Sequence, residues 1–140
     1  MKRLVLIEQC YRLKAITLDE NALYEYLCDE WWLNHNKGHQ ELLNNFIAFL
    51  YSKDSMPKKD MRKWIKIQIR NSDKVINELD GKYNYFENDE EMSNEDNSSY
   101  SYNDGIKCSA MTVIAIINKK KYISKDAYKQ TDWKSKGLLS

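Results

Sequence analysis

Glycine and proline are scarce: the 140-residue chain has four of the first and one of the second. The glycines stand singly, at Gly38, Gly81, Gly105 and Gly137. No glycine-rich loop able to cradle phosphates can be built from them, which speaks against nucleotide-dependent chemistry. Long apolar runs are missing as well, since none approaches the roughly 18 residues needed to span a bilayer. At the N-terminus, Glu8 and Gln9 cut short the apolar residues 4–7, well below the ~7–15-residue apolar core of a secretory signal. The expectation is a cytoplasmic protein with no membrane partner.

Cysteine is limited to Cys10, Cys28 and Cys108, an odd and widely spaced set that does not read as a disulfide framework. The three are expected to be reduced, as small hydrophobes. The G-x-S-x-G turn and the local signatures of cysteine nucleophiles are absent. The adjacent carboxylates Asp19/Glu20 and Asp29/Glu30 would diverge by ~100° on a helix, too far apart to act as a general acid–base pair. His35 and His39 are the only histidines and lie four apart, with Cys28 and Cys10 upstream as further possible donors. Zinc accepts such ligands, but two close pairs are not formed, and Gly38 interrupts the histidine spacing. No metal, no cofactor and no enzymatic activity are expected.

What remains is an ordinary soluble composition, 42% hydrophobic and 31% charged, in a chain of single-domain length. Residues 2–16 carry apolar side chains at helical spacing. Thr17-Leu18-Asp19-Glu20 reads as a capping box, opening a second helix that runs to about Leu33. Gly38 is expected to break the chain before a helix over residues 39–52, which makes residues 17–51 an antiparallel helical hairpin at the core. Ser55 and Pro57 introduce a long helix that ends near Gly81. Residues 87–105 carry seven acids and no base, with few aliphatics, and are expected to stay mobile. The apolar run at residues 110–117 looks β-prone, with a turn at 118–121 and a short return strand at Tyr122 and Ile123.

The fold expectation is therefore mainly α. A compact domain of three to four helices spans residues 1–82, an acidic mobile loop 83–106, and a β-hairpin with a basic tail 107–140.

The net charge of +1 conceals blocks of opposite sign. Residues 57–86 and 106–140 are basic, and residues 87–105 are acidic. Lys59, Arg62, Lys63, Lys66 and Arg70 fall on one face of the third long helix. Lys119, Lys120 and Lys121 sit at the expected hairpin tip. Clustered cations of this kind contact phosphate, and helices followed by a basic-tipped hairpin resemble a winged helix in outline. With four arginines among 22 basic residues, such binding would address the backbone rather than base edges. Tyr83, Tyr85, Phe86, Tyr100 and Tyr102 flank or lie in the acidic segment, where aromatic side chains could anchor a protein partner.

The function expected first is a small non-enzymatic regulator or inhibitor of a larger protein or nucleoprotein. A nucleic-acid-binding regulator is the alternative. The abundance of Asn, Lys, Ile and Tyr suggests an AT-rich genome, and with the small size suggests a phage, virus or mobile element. The apolar faces around Trp31 and Trp32 leave a homodimer open.

Overall fold

The computed structural model describes residues 2–83 and 92–125. Four long helices form among the described residues: α1 (Arg3–Tyr26), α2 (Glu30–Tyr51), α3 (Lys58–Lys82) and α4 (Asn94–Ile117). No strand occurs among these residues, and no helix is long and apolar enough to cross a membrane. Side-chain contacts set the directions. Asn36 reaches back to Thr17 and Arg3 reaches Leu50, so α1 and α2 are antiparallel. Arg62 meets Asn118 while Lys82 meets Asp96, so α3 and α4 are antiparallel too. The chain runs down-up-down-up.

Helix is found over residues 3–82 as expected, but its breaks before residue 39 fall elsewhere. α1 runs straight through the expected capping box. Thr17 is buried in mid-helix and its hydroxyl donates to the Lys14 carbonyl at 2.7 Å. From there Asn36, also buried, donates to the Thr17 carbonyl at 2.6 Å. A threonine bonded back to its own helix and held from outside by Asn36 does not adopt the extended backbone that an N-cap needs.

The true break lies at residues 27–29. Cys28 has φ 54°, the Cys28 N–H donates to Glu25 and the Asp29 N–H donates to Tyr24. This 5→2 and 6→1 pair is a Schellman motif with cysteine in the position glycine usually takes. Asp29 then caps α2, its carboxylate accepting from the Trp32 N–H at 3.1 Å.

Gly38 is no break. It lies inside α2, buried against α4. A Cβ added to Gly38 would overlap the Tyr102 carbonyl oxygen and lie 3.0 Å from its carbon. On the facing helix, a Cβ added to Gly105 would overlap the His35 carbonyl in the same way. Two glycines thus let α2 and α4 touch backbone to backbone. Ser101 and Ser109, buried one turn either side of Gly105, continue the small-residue surface. The Ser109 hydroxyl donates to the His39 carbonyl at 3.3 Å.

Two further expectations are corrected here. Residues 94–106, expected in a mobile loop, form the first half of α4. Ser93 caps it by accepting from the Asp96 N–H at 3.1 Å, and Glu95 and Asp96 stand at the positive end of the helix dipole. Residues 110–117, expected as a strand, form the second half. Ala110, Val113, Ile116 and Ile117 are buried in the main core, at i, i+3, i+6 and i+7, a helical stripe. The turn at 118–121 is a second Schellman motif: Lys119 has φ 59°, and Lys120 donates to Ala115 at 2.8 Å. Tyr122 and Ile123 do not pair as a strand. Instead the Ile123 N–H donates to the buried Gln9 side chain at 2.7 Å, and its carbonyl accepts from Gln9 and Arg12. The parts of the expected loop and tail at 84–91 and 126–140 lie outside the described residues.

Leu6, Cys10, Leu43, Phe46, Leu50, Met61 and Ile65 join the α4 residues in one core. Phe46, Phe49 and Trp64 stack against one another, with centroids 5.3 to 6.3 Å apart. Cys10 is completely buried, which pushes its thiol up to about 12.

Candidate functional site

The cationic face of α3 is present as expected. Lys59, Lys63, Lys66 and Arg70 are exposed, and Arg62 is half-buried. Together with Ile67 these five line an open groove of about 460 Å³. No ion pair joins any of them to another described residue. Arg62 has one committed hydrogen bond, its Nε donating to the Asn118 side chain at 2.9 Å. That bond sets the N-terminal half of the α3 face beside the turn carrying Lys119, Lys120 and Lys121. These three lysines are exposed, and with Lys2, Val5 and Tyr122 they line a second depression of about 430 Å³. Lys119, Lys120 and Lys121 follow a helix end rather than the expected hairpin tip, next to the Asn118 that meets Arg62.

Of the aromatic residues expected at a partner surface, Tyr83, Tyr100 and Tyr102 lie among the described residues. Tyr83 is buried. Its hydroxyl accepts from the Ser93 N–H at 3.1 Å and donates to Asp96. Asp96 also pairs with Lys82 at 2.8 Å. Those bonds, Lys82 foremost, hold the Asp96 carboxyl below its usual range. Tyr102 is half-buried on α4 with its hydroxyl donated to Glu41; burial first, then that bond, pushes it up to about 12. Tyr100 lies half-buried on α4 beside Trp31 and Met92. Tyr85 and Phe86 lie outside the described residues.

The exposed aromatic surface lies instead at the α1–α2 turn. Tyr26 and Leu27 are more than half exposed, and Trp32 is 42% exposed. Tyr24, Trp32, Trp31 and His35 form a continuous ring ladder behind them, with successive centroids 4.8 to 5.8 Å apart. The expected helix to about Leu33 passes straight through residues 27–29, so an exposed turn at this place is not anticipated.

A third cluster lies at the α2–α4 contact. His35 Nε2 is 3.1 Å from the Asp104 carboxylate. Cys108 follows Asp104 by one helical turn, with Sγ 3.9 Å from the same oxygen. One donor atom from each of His35, Asp104 and Cys108 lies within 4.8 Å of the other two. The half-buried His35 is held below its ordinary pKa by desolvation, against the pull of Asp104. Burial, then the Asp104 charge, raises the Cys108 thiol. A raised thiol beside a carboxylate is a poor resting nucleophile. Cys10 and Cys28, considered from sequence as partners of the histidines, are not in this cluster: Cys10 is in the core and Cys28 in the α1–α2 turn. The signal for it is an Asp–Cys pair at i, i+4, hidden in the sequence because its first half reads as a loop.

Compared with known proteins, the chain matches no family model, no curated sequence and no solved structure.

Proposed function

We propose that the protein is a non-enzymatic regulator that docks on a nucleoprotein, gripping the phosphate backbone of its nucleic acid. The α3 face and the lysine turn after α4 form the grip. One observation carries this reading: five cations share one face of α3, the Arg62–Asn118 bond sets the N-terminal half of that face beside the turn with three more, and none has an anionic partner among the described residues. Clustered, unpaired cations release counterions when they meet phosphate, and that release drives association without sequence preference. The small number of arginines and the half-buried state of Arg62 argue against base-edge readout. The winged-helix outline does not support the reading, because α4 occupies the place of the expected hairpin.

The test is anisotropy of labelled duplex DNA and duplex RNA titrated with the full chain at low and moderate salt. The triple variant Lys63→Glu, Lys66→Glu, Arg70→Glu changes exposed residues and leaves the fold intact. It is expected to lose binding at least tenfold. If neither duplex is retained at low salt, the proposal fails.

A second reading is favoured by the exposed Tyr26, Leu27 and Trp32. Large apolar side chains grouped at one turn are the usual anchors of protein interfaces. Nuclease-treated capture from the native host, comparing wild type with Leu27→Lys, separates this reading from the first. A partner retained after nuclease and lost with Leu27→Lys would favour it.

A further inference from the structure

We propose that His35, Asp104 and Cys108 form a site for one divalent transition-metal ion, with zinc the natural occupant. The three donors come from two helices, and the glycine contact brings them together. Gly38 and Gly105 seat α2 and α4 backbone to backbone. His35 lies one turn before Gly38, and Asp104 immediately precedes Gly105. Asp104 and Cys108 are at i and i+4, so both project from the same face of α4. Without this close approach, an imidazole on α2 could not reach a carboxylate on α4 at 3.1 Å.

The donor set selects the class of metal. One nitrogen, one oxygen and one sulfur suit a borderline ion such as zinc or cobalt, whereas magnesium and calcium take oxygen alone. The donor atoms lie within 4.8 Å of one another. A tetrahedral zinc with bonds of about 2.0–2.3 Å sets its ligand atoms about 3.3–3.8 Å apart. The donor atoms thus stand at most about an ångström farther apart than such a tetrahedron requires.

A carboxylate and a thiolate balance the ion's two charges, and binding releases the Cys108 proton to solvent. Lys107, the nearby cation, is already paired with Asp73 at 2.7 Å. Cys108 is exposed and the Asp104 side chain is 33% exposed. The ion therefore reaches the site from water, and water completes its coordination. Among the described residues, no other group of three such donors comes together.

The experiment uses the full chain, stripped with a chelator and titrated with cobalt chloride, then with zinc chloride. The expected result is one cobalt per chain and a thiolate-to-cobalt charge-transfer absorption that zinc abolishes by displacement. Cys108→Ser removes that absorption, and Cys28→Ser leaves it intact. His35→Gln and Asp104→Asn each weaken zinc at least tenfold. Far-UV circular dichroism confirms that each variant is folded, and the exposed Cys108→Ser is the variant least able to disturb the core. Zinc should also raise the melting temperature of the wild type, but not of Cys108→Ser, since it joins two helices. The proposal is overturned by substoichiometric cobalt in the wild type, by a thiolate band that survives Cys108→Ser, or by a band that disappears with Cys28→Ser.

Discussion

At the scale of single residues, the glycines make opposite predictions from the same chemistry. Gly38 and Gly105 sit where a methyl group would enter the backbone of the facing helix. Gly38→Ala and Gly105→Ala should each destabilise the protein by about 3 kcal/mol, the upper end of ordinary overpacking, because the obstacle is backbone and cannot rotate away. Gly81 lies in α3, where an added methyl would meet nothing within 4 Å. Gly81→Ala should stabilise by about 0.5–1 kcal/mol, through helix propensity alone. Urea unfolding of the three variants reads both signs.

His39 gives a second prediction at this scale. Burial, with smaller contributions from His35 and Lys121, lowers its pKa from 6.5 to about 4. Its Nδ1 is buried without a hydrogen-bond partner. The unfolded chain therefore binds a proton more readily than the folded one between those values, so stability is full above pH 6.5 and falls as the pH drops toward 4. The loss attributable to His39 approaches about 3 kcal/mol at the acid end. His35, also lowered, acts in the same direction. Urea midpoints at about pH 7.5 and 4.5, either side of most of that window, should differ clearly in wild type and less in His39→Gln; equal slopes in the two proteins would remove His39 as the source.

At the scale of the helices, two ends rest on residues that are not the usual choice. Cys28 and Lys119 hold left-handed backbone at the positions that close α1 and α4, and a side chain there costs roughly 1–2 kcal/mol relative to glycine. Cys28→Gly should therefore stabilise by about 1 kcal/mol. Asp29→Ala, which removes the α2 cap, should destabilise by a similar amount. Thermal melts of the pair shift in opposite directions if the turn is held as described. These ends also show where the sequence could and could not be read. The helical periodicity of α1 to α3 was legible, since apolar stripes such as Met61, Ile65, Ile76 and Leu79 declare their buried face. The ends of α2 and α3 fall close to those expected, but the stops of α1 and α4 were not legible, because their turns use cysteine and lysine where glycine is the usual signal, and Gly38 serves a helix crossing instead. α4 was hidden for another reason. Its first half is polar and small, which reads as disorder in isolation. Only a facing helix with a glycine of its own turns Ser101, Gly105 and Ser109 into a packing surface. The β-branched run that follows satisfies both periods, and helix wins because it continues one already capped at Ser93. The basic face could be read because charge spacing needs no partner to be meaningful, whereas the His35–Asp104–Cys108 cluster depends on a crossing that no local pattern announces.

At the scale of the whole molecule, α4 sets the arrangement of charge. Its 24 residues extend about 36 Å, with Glu95 and Asp96 at one end and Lys119, Lys120 and Lys121 just beyond the other. The acidic cap is engaged with Lys82 and Tyr83 at its own end. At about 0.1 M salt the screening length is ~10 Å, so these carboxylates do not neutralise the lysine turn or the half of α3 beside it. A molecule of net charge +1 can thus present a strongly positive end. Engagement of the five α3 cations on duplex DNA predicts a slope of log affinity against log salt of about −4 to −5, and adding the three turn lysines takes it to about −7. Replacing Lys119, Lys120 and Lys121 with glutamine should flatten that slope by about 2 to 3. Replacing Lys63 and Lys66 should flatten it by about 2, with no change in preference among duplex sequences. A slope unchanged by the turn substitutions would confine the contact to α3 and leave the Arg62–Asn118 bond a purely structural one. A slope near zero in the wild type would leave the apolar turn at Tyr26, Leu27 and Trp32 as the surface to pursue.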